Sequence, residues 1–292
     1  MKTKTTEVLG LWNTGEGRFH NRLSPVESKR MIKSAWKKGI RTFDSAYSYT
    51  DADTILYSAL RELNAERDEW QIIEKIMPVP TFERKADAAL RRLHTSYFDI
   101  LLIHWPADEE NLYSTLKTLE RMKDAGKARE IGVSNFPIPL LRKTLADFPI
   151  AYHERPLSLV WNRDYEEERK LNIRTLAYAP LGMGILSSPK PMLSSLKFSS
   201  SPDLDRLYSI LDEAAGKRGV NRTDIALSWV YNQNPSAMIR GVSRESQLDW
   251  TRVELTDEEN TILTKAAALI TAETEEDNIF SHRWKGERRE ET

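Results

Sequence analysis

A parallel (β/α)8 barrel is the architecture the sequence predicts. Three observations carry it: β-rich apolar runs alternate with helical stretches, eight such units can be counted, and no linker rich in Pro, Ser or Gly divides them. The chain has 292 residues, 40% of them hydrophobic, enough to bury a large core, and residues 1–292 are expected to form one domain. The competing architecture, an open doubly wound sheet, usually announces itself by a G-x-G-x-x-G turn after its first strand. Neither GEGRFH (15–20) nor GMGILS (182–187) completes that pattern.

The first strand is expected at EVLGLW. Ser24-Pro25-Val26-Glu27 then offers a cap residue, a proline at the first helical position and a capping-box glutamate, opening a helix that Gly39 closes before RTFDSA. Ile55, Leu56, Ala59, Leu60 and Leu63 recur at helical spacing ahead of WQIIEKI. Ala86, Ala89, Leu90 and Leu93 do the same ahead of FDILLIHW, a nearly continuous apolar run of the kind buried on both faces. Leu112, Leu116, Leu119 and Met122 lead through Gly126 to EIGVSN. A helix around PLLRKTLADF leads to PLSLVWN as the sixth strand, DYEEERKLNI leads to RTLAYAP, and a long helical stretch over 203–232 leads to AMIRGV. The segment 186–204 is the one long irregular insertion, and the stretch from Thr271 is expected to run as a charged, extended tail over the surface.

Composition narrows the functional classes. With 43 basic against 44 acidic residues the chain has no broad field for nucleic acid or anionic membranes, so a small-molecule partner is expected. No stretch approaches the roughly 18 uninterrupted apolar residues of a membrane span, and MKTKTTEVLG has no secretory core, which points to the cytoplasm. The absence of cysteine excludes disulfides and thiolate chemistry, and His20, His94, His104, His153 and His282 show no ligand spacing, so no metal is expected. His153, next to Glu154, is expected at the surface. No heptad or long apolar stripe sets an oligomeric state.

In a barrel of this kind the site lies at the C-terminal strand ends. Those ends bring Asp44 after the second strand with Tyr49 in its loop, Lys75 at the end of the third and His104 at the end of the fourth. Taken singly, each has an ordinary structural use as a cap, a core aromatic, a snorkelling cation or a half-buried histidine. Together they form the tetrad pattern of the aldo-keto reductases, and FDSAYSY, LLIHWP, AGKAREIGVSNF, LAYAPLG and GVSRESQL resemble that family's phrases in order, from about Gly10 to Leu248. The resemblance implies carbonyl reduction with NADP(H). A tyrosine of ordinary pKa ~10 must deliver a proton to the nascent alkoxide. Lys75, paired with Asp44, would bias Tyr49 electrostatically, while neutral His104 would hydrogen-bond the carbonyl oxygen.

The resemblance also implies where the cofactor lies. Ser134 and Asn135 would hold the carboxamide, Tyr178 would stack on the nicotinamide with Leu181 of the same phrase beside the cofactor, and Gly241, Ser243, Arg244 and Gln247 would take the 2'-phosphate end. Trp12, Tyr47, Met77 and Trp105 lie near strand ends and are candidates for an aromatic substrate pocket. The family's glutamine at the end of the sixth strand, which helps hold the carboxamide, is missing, and Arg155 stands nearest to its place. Glu74 stands where a small hydroxyl residue is common. Two other uses of the fold stay open at this stage: a regulatory subunit that binds NADPH with little turnover, and Schiff-base chemistry on Lys75.

Overall fold

Apolar residues two apart along each run fix which side of each strand faces inward, and the eight strands close on that pattern. The computed structural model describes residues 5–15, 23–187 and 201–277. Its strands are β1 (Thr6–Gly10), β2 (Thr42–Asp44), β3 (Gln71–Ile76), β4 (Phe98–Ile103), β5 (Ala128–Ser134), β6 (Tyr152–Pro156), β7 (Arg174–Tyr178) and β8 (Ala237–Gly241). Each pairs in parallel with the next, and β8 returns to β1 with Gly10 opposite Gly241, so the sheet is a closed barrel. The helices are α1 (Pro25–Lys37), α2 (Ala52–Glu62), α3 (Phe82–Leu93), α4 (Glu109–Asp124), α5 (Ile138–Asp147), α6 (Tyr165–Glu168), α7 (Pro202–Gly216), α8 (Arg222–Asn232) and α9 (Asp257–Asp277). The predicted capping box opens α1: Glu27 Oε2 accepts from the Ser24 backbone at 2.9 Å, and Ser24 Oγ accepts from the Glu27 backbone at 3.3 Å. No helix among the described residues is long and apolar enough to cross a membrane.

Inside the barrel, Val8, Ile73, Leu102, Leu176 and Ile239 form one apolar plug. Gly132 of β5 completes that layer, because a Cβ there would overlap the Tyr152 carbonyl and come within 2.8 Å of Leu102 Cδ2. Glycine is required by space rather than by backbone twist. Outside the barrel, residues such as Phe43, Leu56 and Phe98 seal β1–β5 to α1–α5, and a second cluster around Leu207, Leu211, Trp229 and Ile270 seals the α7, α8 and α9 side. One layer above the plug, the next inward positions are Gly10, Asp44, Lys75, His104, Ser134, Glu154, Tyr178 and Gly241.

Four expectations about elements change. The sixth strand is Tyr152–Pro156, and PLSLVWN beyond its first residue, Pro156, is the loop after it, closed by a bridge between Ser158 and Trp161. The stretch 203–232 is two helices, parted where Gly219 takes φ +62° and Asn221 caps α8 with Asp224. Residues 271–277 are the last turns of α9 rather than extended tail, and the remainder of that tail lies outside the described residues, as do 188–200 of the predicted insertion. His153 is 1% exposed, not at the surface.

The polar alternation of β6 explains both the missed strand and the buried histidine. His153 and Arg155 point out to the helix layer and meet Glu168 at the end of α6: His153 Nδ1 is 2.8 Å from Oε2 and Arg155 Nη1 donates to the same oxygen at 3.0 Å. Thr175 of β7 donates to Oε1 at 2.6 Å. The Phe136 backbone N–H donates to His153 Nε2 at 3.2 Å, which leaves the proton of a neutral ring on Nδ1, facing Glu168. Burial would raise the Glu168 carboxyl, but His153, Arg155 and Thr175 outweigh it and hold it at about 2.

Two outcomes follow from these contacts. Gly132→Ala is expected to destabilise the fold by about 1–3 kcal/mol in urea unfolding, with Gly126→Ala, where nothing lies within 4 Å of the new carbon, unable to reproduce the steric part of the loss. Glu168 titrates below its unfolded value of 4.5, so its stabilisation is complete above that pH and is lost as pH falls toward about 2. Glu168→Gln is expected to cost about 3 kcal/mol at neutral pH and to flatten acid unfolding over that interval.

Candidate active site

The short β2 strand ends on Asp44, which is 4% exposed, and the chain then turns outward, where Ser45 donates to Asp53 at 2.6 Å. Two backbone bonds set the turn that follows: the Tyr47 N–H donates to the Lys75 carbonyl at 2.9 Å, and the Tyr49 N–H donates to Ala46 at 2.8 Å. Tyr49 is thereby held over the end of β3. Lys75, 1% exposed, donates to Asp44 Oδ2 and lies 3.5 Å from Glu154 Oε1. Its Nζ is 5.3 Å from the centre of the Tyr49 ring, and the His104 ring meets Tyr49 edge-on at 6.0 Å. Asp44, Tyr49, Lys75 and His104 therefore converge at one end of the barrel.

The electrostatics of this cluster are dominated by burial. Burial alone would lower Lys75, but Asp44 and then Glu154 hold it above the ordinary lysine value, so it stays an ammonium. Burial pushes the Asp44 carboxyl up while Lys75 opposes. Burial also raises the Tyr49 phenol, more than Lys75 draws it down. The expected bias toward tyrosinate is thus outweighed, and Tyr49 carries its proton.

Beside the tetrad, Ser134 is fully buried and Asn135 adopts φ +64°. Asn135 Nδ2 donates to the His104 carbonyl at 3.1 Å and to Ser134 Oγ at 2.9 Å, and Tyr178 donates to Asn135 Oδ1 at 2.7 Å. Leu181 packs half-buried against the α7, α8 and α9 cluster. Across the barrel, beyond exposed Gly241, three donors converge on one oxygen: Ser243 N at 2.7 Å, Ser243 Oγ at 3.2 Å and Arg244 N at 3.1 Å all reach Gln247 Oε1. Such a nest is built to receive an acceptor oxygen, and the Arg244 side chain is exposed beside it.

The substrate-pocket candidates divide. Trp12, Met77 and Trp105 are half-buried at the strand ends, with Trp105 6.5 Å from the His104 ring. Tyr47 lies instead against α3, its ring 4.4 Å from the Arg92 guanidinium and 5.4 Å from Lys85 Nζ. Glu74, adjacent to Lys75, faces the opposite side of β3 and is fully buried; burial and then Asp53 push its carboxyl well up. Arg155 does not stand in for the missing glutamine. It points outward to Glu168, and the inward residue at the end of β6 is Glu154, 3% exposed, which sequence reasoning passed over. The signal was available: once YHERP is taken as a strand, a period of two puts 154 on the face opposite to 153 and 155.

The chain is 28% identical over 295 residues to a D-galacturonate reductase of Fragaria ananassa, covering 88% of this chain and 85% of that one. It is 36% identical over 121 residues to the methylglyoxal reductase DkgB of Escherichia coli O157:H7, covering 39% of this chain and 45% of that one. The thermostable aldo-keto reductase Tm1743, solved with the inhibitor epalrestat, superposes with a TM-score of 0.75 at 26% identity, over 89% of this chain and 94% of that one. The profile of the Aldo/keto reductase family matches residues 8–268, from within β1 well into α9 and across every residue of the site just described: the chain belongs to that family.

Proposed function

We propose that the protein reduces small aldehydes or ketones to alcohols with NADPH, Tyr49 giving the proton. The observation that carries this is the buried Asp44–Lys75 pair set beneath a protonated Tyr49 whose ring meets His104 edge-on. The cofactor, when bound, supplies the hydride. The residues present fit it: the donors that now converge on Gln247 Oε1 suit a phosphate oxygen, with Arg244 at hand for charge, while Ser134, Asn135 and Tyr178 offer amide partners and a ring at the barrel mouth.

Each side chain then has one task. Tyr49 transfers its proton to the oxygen of the nascent alkoxide, a far stronger base than the phenolate left behind even with the phenol raised by burial. Lys75 neutralises that phenolate, and Asp44 keeps Lys75 charged while water is excluded. His104 donates to the carbonyl oxygen and orients it toward Tyr49. Methylglyoxal and D-galacturonate, named for the two relatives above, are natural first substrates to try.

Tyr49→Phe is expected to lower kcat by on the order of 100-fold or more, read as NADPH absorbance loss, with the dissociation constant for NADPH unchanged. Tight NADPH binding by the intact protein with no turnover on any aldehyde or ketone would overturn the assignment. Arg244→Ala is expected to weaken NADPH binding on the order of tenfold, the worth of one charge-assisted hydrogen bond, and to leave NADH binding nearly unchanged in a titration by protein fluorescence.

A further inference from the structure

Glu154 has no part in the roles assigned so far. Its carboxyl is buried, Oε1 lies 3.5 Å from Lys75 Nζ, and the same ammonium donates to Asp44 Oδ2. Two carboxyl groups therefore face one ammonium in a space closed to water. The surrounding charges do not alter that count. Asp44 comes from β2 and Lys75 from β3, with Tyr49 above them and the His104 ring turned to Tyr49. On β6 itself, His153 and Arg155 point away to Glu168. On the flanking strands, Glu130 and Arg174 lie toward the other end of the barrel and pair with each other at 2.9 Å. Glu74 faces out of the barrel, toward Asp53 and Arg92.

Two ionised carboxyls against one ammonium would leave a buried net negative charge, and like groups sharing such a site keep one proton between them. We propose that Glu154 holds a proton at neutral pH, shared with Asp44, and that this proton is the store from which Lys75 recharges Tyr49 after each reduction. The transfers balance. The Tyr49 O–H bond breaks as its proton goes to the alkoxide oxygen; an N–H proton of Lys75 passes to the phenolate oxygen; the proton held between Glu154 and Asp44 passes to the lysine nitrogen. No electrons move in these steps, and both carboxyls end ionised until solvent returns one proton. Burial, and then the charge of Asp44, push the Glu154 carboxyl well above its ordinary value, in the same direction. Glu154 is thus a positioning residue that acts through Lys75, and its use in turnover rests on the reductase assignment; the stored proton does not.

The test begins with the full chain without cofactor. In a Glu74→Gln background, which removes the neighbouring buried acid, infrared spectroscopy at pH 7 is expected to show the carbonyl stretch of an un-ionised carboxyl. Glu154→Gln should abolish that band, and so should Asp44→Asn, since either carboxyl alone with Lys75 has no need of the proton. Urea unfolding gives a second measure that needs no Glu74 variant. A carboxyl protonated in the fold and ionised in the unfolded chain makes stability fall as pH rises above about 4.5, by up to tenfold in the unfolding constant per pH unit. Glu154→Gln should lower that slope between pH 5 and 8 by up to one proton's share, the buried Glu74 keeping its own. A band and slope identical in the intact protein and Glu154→Gln would overturn the stored proton. In turnover, Glu154→Gln is expected to lower kcat several-fold with KM for the carbonyl substrate held, and to abolish the decline in kcat over the pH interval in which the Glu74→Gln protein loses the band. Identical kcat–pH profiles would overturn the use of the proton. A band and slope as expected, with no NADPH turnover by the intact protein, would remove the reductase assignment and leave the stored proton standing.

Discussion

A lysine ammonium 1% exposed inside a barrel is the constraint on which the rest of this site depends. Removing such a charge from water costs several kcal/mol, and a single well-placed carboxylate recovers the cost only when the geometry is held rigid. The fold supplies that rigidity through its strands: Asp44, Lys75 and Glu154 are all inward positions on β2, β3 and β6, and none stands on a loop. Tyr49 and His104 stand off the strands: the Tyr49 loop is tied to β3 through the Tyr47 N–H and to itself through the Tyr49 N–H, and the His104 N–H donates to the Ile76 carbonyl at the end of β3. The buried charges thus sit on paired strands, with Tyr49 presented above them by a hydrogen-bonded turn.

The plug beneath the site has a complementary role. Val8, Ile73, Leu102, Leu176 and Ile239 keep water out from below, and Gly132 lets β5 and β6 approach closely enough to complete that layer. A dry floor strengthens every charge interaction above it. It also explains why burial, rather than the neighbouring cation, decides the state of the Tyr49 phenol.

Much of this was legible in the sequence because the period of two and the period of 3.6 are strong signals where strands and helices are apolar on one face. FDILLIHW and WQIIEKI announce β4 and β3, and Ser24 with Glu27 announces α1. The tetrad followed from reading strand ends. β6 was not legible, because all five residues of YHERP are polar or cyclic, while the apolar PLSLVWN immediately after it looks far more like a buried strand. The outward face of β6 is paired to Glu168 and its inward face to Lys75, so neither face needs apolar side chains, and hydrophobicity carries no signal there. The same blind spot put His153 at the surface and left Glu154 unread. The contacts of the Tyr47 ring with Arg92 and Lys85 had no signal in the sequence, because both cations come from α3, some way along the chain.

That division of labour along β6 bears on how the protein can change over generations. His153 and Arg155 anchor the strand to α6 through contacts that do not involve the mouth, so the residue between them is relieved of any duty to hold the strand in place. Position 154 can therefore be altered with the scaffold intact, and a lineage is able to sample amide, acid or hydroxyl groups beside the buried lysine one substitution at a time. The barrel's evolvability at this point comes from the anchoring of its outer face.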